Sequence, residues 1–150
     1  MLLRTHLVFA IFMILIFFNY VSNKWVFVVM VLLATIIPDL DNPNSKYGKE
    51  AVFTPLQTFT NHRGFIHSFT IAAILSGIIA IYWPVASFGF FIGYSVHLIM
   101  DSFTKHGIQP FWPFKWESKG PIESGGNIEN ILFLCIIFID VLLFLILFVW

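Results

Sequence analysis

Charge is what this chain has least of. Asp, Glu, Lys and Arg make up 11% of its residues, where a typical soluble domain carries about 25%. Eight basic and eight acidic side chains cancel to a formal net charge of zero. The basic excess of a nucleic-acid binder is missing, so no nucleic-acid partner is expected. The one cysteine, Cys135, lies inside an apolar run. That excludes an intramolecular disulfide and any CxxC zinc motif, so a metal site would have to be built from His, Asp and Glu. Internal repeats, low-complexity tails and a soluble domain are lacking as well.

Apolar residues fill the space. The chain is 59% hydrophobic and holds 19 phenylalanines, which makes membrane residence the default, with helices that satisfy their own backbones in lipid. Five apolar runs, at 5–22, 25–37, 65–83, 85–100 and 128–150, predict the spans. The first follows Arg4 and also fits a signal peptide. Its exit, Asn19-Tyr20-Val21-Ser22-Asn23-Lys24, offers no small-x-small cleavage site, so a retained helix is expected. The second is shorter than the roughly 20 residues usual for a span. Pro38-Asp39-Leu40-Asp41-Asn42-Pro43 opens a polar loop, Pro84 breaks the third run from the fourth, and Gly89 and Gly93 permit close helix contact. Residues 101–126 read as a second loop, rich in proline and glycine. The expected fold is an all-α membrane protein, one domain over 1–150, with about five transmembrane helices.

With five spans, the N-terminus and both long loops share one side. That side carries Arg4, Lys46, Lys49, Arg63, Lys105, Lys115 and Lys119, and the other only Lys24. The bias predicts that the N-terminus is cytoplasmic and the C-terminus outside. The same parity collects His6, Asp39, Asp41, His62, His67, His97 and Asp101 near span ends on the cytoplasmic side. Nothing in the charge count required this, and it is the reason to read them as one site.

Each group alone has a simpler reading. His97 and Asp101 are four apart and share a helix face, which suits zinc or manganese but also a plain hydrogen bond or a helix-end cap. His62 and His67 are five apart around Gly64 and could form a polar collar at the interface. Asp39 and Asp41 flank Leu40 and could serve two ions, or simply make a turn. His6 could be an interfacial residue. Thr104-Lys105-His106-Gly107 could bind an anionic group or be a solvated loop. Asp140 lies mid-span, where an acid is a functional candidate by default, although helix association explains it too. Together, four His and three Asp without a cation would leave many repelling or unsatisfied groups, which favours a divalent metal, zinc first and manganese second.

Thr5-His6, Pro38-Asp39-Leu40-Asp41, His62-Arg63-Gly64-Phe65-Ile66-His67-Ser68 and Gly93-Tyr94-Ser95-Val96-His97-Leu98-Ile99-Met100-Asp101 occur in this order, followed by Thr104, Gly107 and Pro110 to Pro113. This set resembles the YdjM-like family of inner-membrane metal-dependent hydrolases, over nearly the whole chain. Asn42 departs from the family, where histidine often follows the second aspartate. The resemblance implies a bundle of membrane helices in the inner membrane and a hydrolase activity.

The expected function is a membrane-embedded metal-dependent hydrolase that attacks a lipid or lipid-linked phosphoester with metal-activated water. His6, Asp39, Asp41, His62, His67, His97 and Asp101 are the expected metal ligands, and Arg63, His62 and His106 the expected catalytic groups. Membrane lipids are the expected partners, and a homodimer fits the small surface that five spans bury. The rivals are a divalent-metal transporter or sensor, for which Asp140 would be the mid-membrane step, and a non-catalytic scaffold tied by its His and Asp residues.

Overall fold

A computed structural model describes residues 1–41 and 65–150; the Asp41 side chain, His62 and Arg63 lie outside the described residues. Among the described residues there are five α-helices: α1 (Leu3–Phe17), α2 (Lys24–Ile36), α3 (Phe69–Tyr82), α4 (Pro84–Ser102) and α5 (Asn127–Phe148). A 3-10 turn at Ile37–Asp41 extends α2. No strand occurs among them; two isolated bridges, Thr104 with Ile122 and Ile108 with Ser118, fold the 103–126 loop on itself. The described residues are therefore all-helical in their regular structure, as the composition predicts. Two helices, α4 and α5, are long and apolar enough to cross a membrane.

Local chemistry sets the helix ends. Asn23 caps α2 by accepting from the Val26 N–H at 3.2 Å. Ser68 caps α3, accepting from the Ile71 N–H at 3.3 Å while its hydroxyl donates to the Phe65 carbonyl at 2.8 Å. Pro84 cannot continue α3, and it starts α4 at the position where its missing N–H does no harm. Ser68→Ala is expected to cost about 1 kcal/mol, read as a lower unfolding midpoint in detergent. An unchanged midpoint would mean the cap contributes nothing.

Helix α4 organises the packing. It lies chiefly against α2 and α3 and also touches α1. It runs parallel to α2: Phe27 stacks on Phe88 at 5.6 Å, a Cβ on Gly89 would stand 3.0 Å from the Phe27 carbonyl oxygen, and one on Gly93 would stand 2.2 Å from that of Val31. The close approach expected of the glycine pair is thus made against α2. At the next turn, the Thr35 hydroxyl lies 3.2 Å from the Gly93 carbonyl. Helix α3 runs antiparallel to α4, with the Ser87 hydroxyl donating to the Ser76 carbonyl at 2.7 Å. Helix α5 lies along α1 in the same direction, held by Thr5 to Glu129 at one end and by Phe18 against Phe148 at the other. The result is an α4 that is largely buried and an α5 whose outer surface is open. The N-terminus, the 3-10 turn after α2, residues 65–68 and the 103–126 loop meet at one end of the bundle.

Candidate metal centre

Four segments deliver titratable side chains to that end. Helix α1 begins with Thr5 and His6. The 3-10 turn after α2 presents Asp39. The segment before α3 presents His67. The last two turns of α4 present His97 and Asp101 on one face. His6, His67, His97 and Asp101 are at most 1% exposed. Their ligand atoms form two groups that share His97: His6, Asp39 and His97, and His67, His97 and Asp101, each with all ligand atoms within 4.8 Å of one another.

The ligand atoms stand a little farther apart than donors on one ion would. His97 Nε2 lies 3.7 Å from Asp101 Oδ2 and 3.9 Å from Asp39 Oδ1, and His67 Nε2 lies 3.9 Å from Asp101 Oδ2. These are too long for hydrogen bonds. Donors on one tetrahedral zinc stand about 3.3 Å apart, given bonds of about 2.0 Å. The imidazole of His6 stacks on that of His97, centroids 4.1 Å apart, and His6 Nε2 lies 3.3 Å from Asp101 Oδ1. The amino group of Met1 also donates to Asp101 Oδ1.

The support around these residues determines which atoms they offer. His97 Nδ1 faces the Thr35 carbonyl at 2.8 Å. A carbonyl can only accept, so Nδ1 carries the proton and Nε2 keeps its lone pair, the arrangement usual for a ligating histidine. That Nε2 has no hydrogen-bond partner among the described residues, and neither has His6 Nδ1, whereas His6 Nε2 faces Asp101 Oδ1. Buried donors and acceptors left in this state are costly, and an ion would satisfy several of them together. The donor set therefore fits a divalent metal. Tyr94 holds the His67 segment by donating its hydroxyl to the Ile66 carbonyl at 2.7 Å, and the Phe69 N–H donates to the Pro110 carbonyl at 2.8 Å. Burial pushes the Asp39 carboxyl above the usual carboxylate range, against the opposing pull of His6. Such a carboxylate gains from a cation beside it.

Of the residues singled out from sequence, His6, Asp39, His67, His97 and Asp101 stand together. His106 is exposed on the 103–126 loop and belongs to neither group. Lys105, its neighbour, pairs with Glu123 at 2.7 Å at the surface. Thr104 is buried, and its hydroxyl donates to the Asp101 carbonyl at 2.7 Å, tying the loop to the end of α4. Asp140 lies on α5 away from the cluster, 8% exposed, with Oδ1 lacking a hydrogen-bond partner among the described residues.

Sequence reasoning missed Glu129. It is fully buried and accepts from the Thr5 hydroxyl at 2.6 Å, the Leu2 N–H at 2.7 Å and the Gly125 N–H at 2.6 Å. It thus caps the start of α1 from the first turn of α5 and sets the position of His6. The available signal was an acid in the first turn of an apolar helix, which reads as a cap for its own helix. Glu129→Ala leaves the buried Thr5 hydroxyl and the part-buried Leu2 N–H without this acceptor. It is expected to weaken metal affinity about 10- to 100-fold, as loss of a ligand's support does. Arg4→Ala, which breaks an exposed contact to Asn130 and a cation–π contact with Phe133, should leave affinity unchanged. Equal affinities in a chelator-competition titration would remove Glu129 from this role.

Comparison with known proteins agrees with the inner-membrane reading. The YdjM inner membrane protein family matches residues 1–149. The chain is 28% identical over 126 residues to the inner membrane protein YdjM of Escherichia coli (strain K12), covering 76% of this chain and 63% of that protein. It is 32% identical over 85 residues to the uncharacterized protein YvsG of Bacillus subtilis (strain 168), covering 54% and 53%. The chain thus spans less than two thirds of the length of these curated relatives. No solved structure matches it significantly.

Proposed function

We propose, from the premise that the chain belongs to the YdjM inner membrane protein family, that it is an integral-membrane metal-dependent hydrolase. Its substrate class is a lipid or lipid-linked phosphoester, reached at the cytoplasmic face by a bundle that crosses the bilayer five times. The observation that carries this reading is His97: Nδ1 is committed to the Thr35 carbonyl while Nε2 is turned, without a hydrogen-bond partner among the described residues, toward Asp39 and Asp101.

His67, His97 and Asp101 would hold one divalent ion. His6 and Asp39, with His97 shared, would hold it alternatively or hold a second. Asp41 and His62 are proposed to complete the set. Zinc or manganese suits imidazole and carboxylate donors in this mixture. When bound, such an ion supplies a Lewis acid that activates water and stabilises developing negative charge. The chain's own residues orient and exclude. Thr35 fixes the His97 tautomer, Glu129 fixes His6, and the buried walls keep bulk water from the ligand atoms. Arg63 is proposed to hold the anionic group of the substrate, a task its fork of donors suits.

The test loads detergent-purified protein with zinc or manganese and assays phospholipid, phosphodiester and carboxylic ester panels. Hydrolysis in one panel, abolished by chelation and by His67→Ala, is expected. Metal-loaded, fully helical protein that turns over none of the panels would sink the hydrolase reading.

One observation favours a second reading, metal transport: Asp140 places a carboxylate mid-helix, away from the cluster. Metal uptake into proteoliposomes that is lost in Asp140→Asn would establish it. Uptake equal in both would leave Asp140 as a packing residue.

A further inference from the structure

The loop between α4 and α5 exposes large aromatic side chains along one edge. Phe103, Phe111, Trp112, Phe114 and Trp116 are between 40% and 72% exposed, and Phe65 stands beside them at 40%. Four of them pair: Phe65 meets Trp112 edge-on at 4.9 Å, and Phe111 stacks on Trp116 at 5.8 Å. Each such ring presents roughly 150–250 Å² when fully exposed. A patch of this size is uncommon on a surface that faces water. Two lysines of the loop pair with acids at the surface, Lys105 with Glu123 at 2.7 Å and Lys119 with Glu117 at 2.6 Å.

The spacing of aromatics along the two long helices shows what meets this edge. Helix α4 has 19 residues between Trp83 and Phe103, both about half exposed. At 1.5 Å per residue, it is about 28 Å long. Helix α5 has 22 residues, entered from this loop and followed by the exposed Trp150. It is about 33 Å long. The hydrocarbon core of a bilayer is about 30 Å thick. Tyr20, Trp25 and Tyr82 are exposed at the far end of the bundle with Trp83. Aromatic residues thus bracket both helices at the separation of the two membrane interfaces, where amphipathic rings prefer to lie.

We propose that the aromatic edge of the 103–126 loop is seated in the lipid headgroup layer of the bilayer that the helices cross. The consequence for the His/Asp centre is its depth. Asp101 and His97 precede Phe103 by two and six residues, so they sit about 3 and 9 Å inward along α4. The centre then lies near the level of the phosphate and ester groups of the surrounding lipid. This inference rests on the bilayer-spanning reading and narrows the substrate to amphiphiles held at that depth. It does not depend on the metal.

The test reconstitutes the full chain in vesicles of phosphatidylethanolamine and phosphatidylglycerol containing lipid brominated high on its acyl chains. A Trp25→Phe, Trp83→Phe, Trp150→Phe variant retains Trp112 and Trp116 as reporters. The expected result is blue-shifted emission that brominated lipid largely removes and iodide in the buffer barely affects. Strong iodide quenching with no effect of brominated lipid overturns the proposal. A second variant that keeps Trp83 alone reports on the far interface: quenching there by brominated lipid, with none at Trp112 and Trp116, refutes the loop inference while leaving the spanning helices intact. If the multiple variant loses helicity, Phe114→Cys in a Cys135→Ser background carries a nitroxide label. Relaxation of that label by oxygen supports the proposal, and relaxation by an aqueous nickel chelate overturns it. Metal content of the same samples reads the centre independently.

Discussion

His97→Ala is expected to strip the protein of metal. Freshly purified wild-type chain should carry zinc or manganese that mass spectrometry detects, and the variant should carry almost none even after incubation with excess ion. His97 is the member common to both ligand groups, so its loss damages the centre however the ions are distributed. The expected fall in affinity exceeds the about 10- to 100-fold that follows loss of a supporting residue alone. Asp101→Asn should act in the same direction, because the amide keeps the shape and removes the charge facing His67 and His97. His97→Ala also loses the contact to the Thr35 carbonyl, so helicity by circular dichroism must accompany the measurement. A helical, metal-free variant beside metal-bearing wild type is the predicted pair. Metal retained in both variants, or absent from wild type after reloading, would remove the metal centre and leave a His/Asp network that ties helices.

The second large effect concerns packing. Gly93→Ala would place a methyl group 2.2 Å from the Val31 carbonyl oxygen and 2.9 Å from two further backbone atoms of Val31. No rotamer relieves a backbone clash of this kind, so α2 and α4 must separate. Overpacking costs typically about 1–3 kcal/mol, and here it also moves Thr35 away from His97 and Asp39 away from its partners. The midpoint of unfolding by denaturing detergent should fall and metal affinity should fall with it. Gly77→Ala is the control: nothing lies within 4 Å of a Cβ there, and alanine should gain about 0.5–1 kcal/mol of helix stability. Equal midpoints for Gly93→Ala and wild type would mean the two helices are looser than their contact implies.

Much of this was legible in the sequence because lipid simplifies the reading. Apolar runs give helices when every backbone group must be satisfied within its own segment. Parity of the runs then sorts polar residues by side, which is how His6, Asp39, His67, His97 and Asp101 could be grouped although more than ninety residues separate the first from the last. The spacing of His97 and Asp101 told which face they share. What could not be read were the partners that have no side-chain signature. The Thr35 carbonyl, which fixes His97, is a backbone group that any residue would carry. Glu129 looked like an ordinary first-turn acid because the helix it caps lies at the other end of the chain. The aromatic edge of the 103–126 loop was hidden for a related reason: its rings are scattered among prolines and lysines and meet only when the two bridges fold the loop.

The contrast between the two long helices bears on how the protein is made. Helix α5 is strongly apolar and largely open on its outer side, so it can enter lipid unaided as it leaves the translocon. Helix α4 is far less apolar and largely enclosed, and it carries Ser87, Ser95, His97 and Asp101 among its buried residues. Such a segment is tolerated in a bilayer when neighbours already cover its polar groups. Synthesis delivers α1, α2 and α3 first, and these are the helices that enclose it. The segment bearing His97 and Asp101 is therefore the one expected to integrate after its neighbours, once the helices that surround these two side chains are in place.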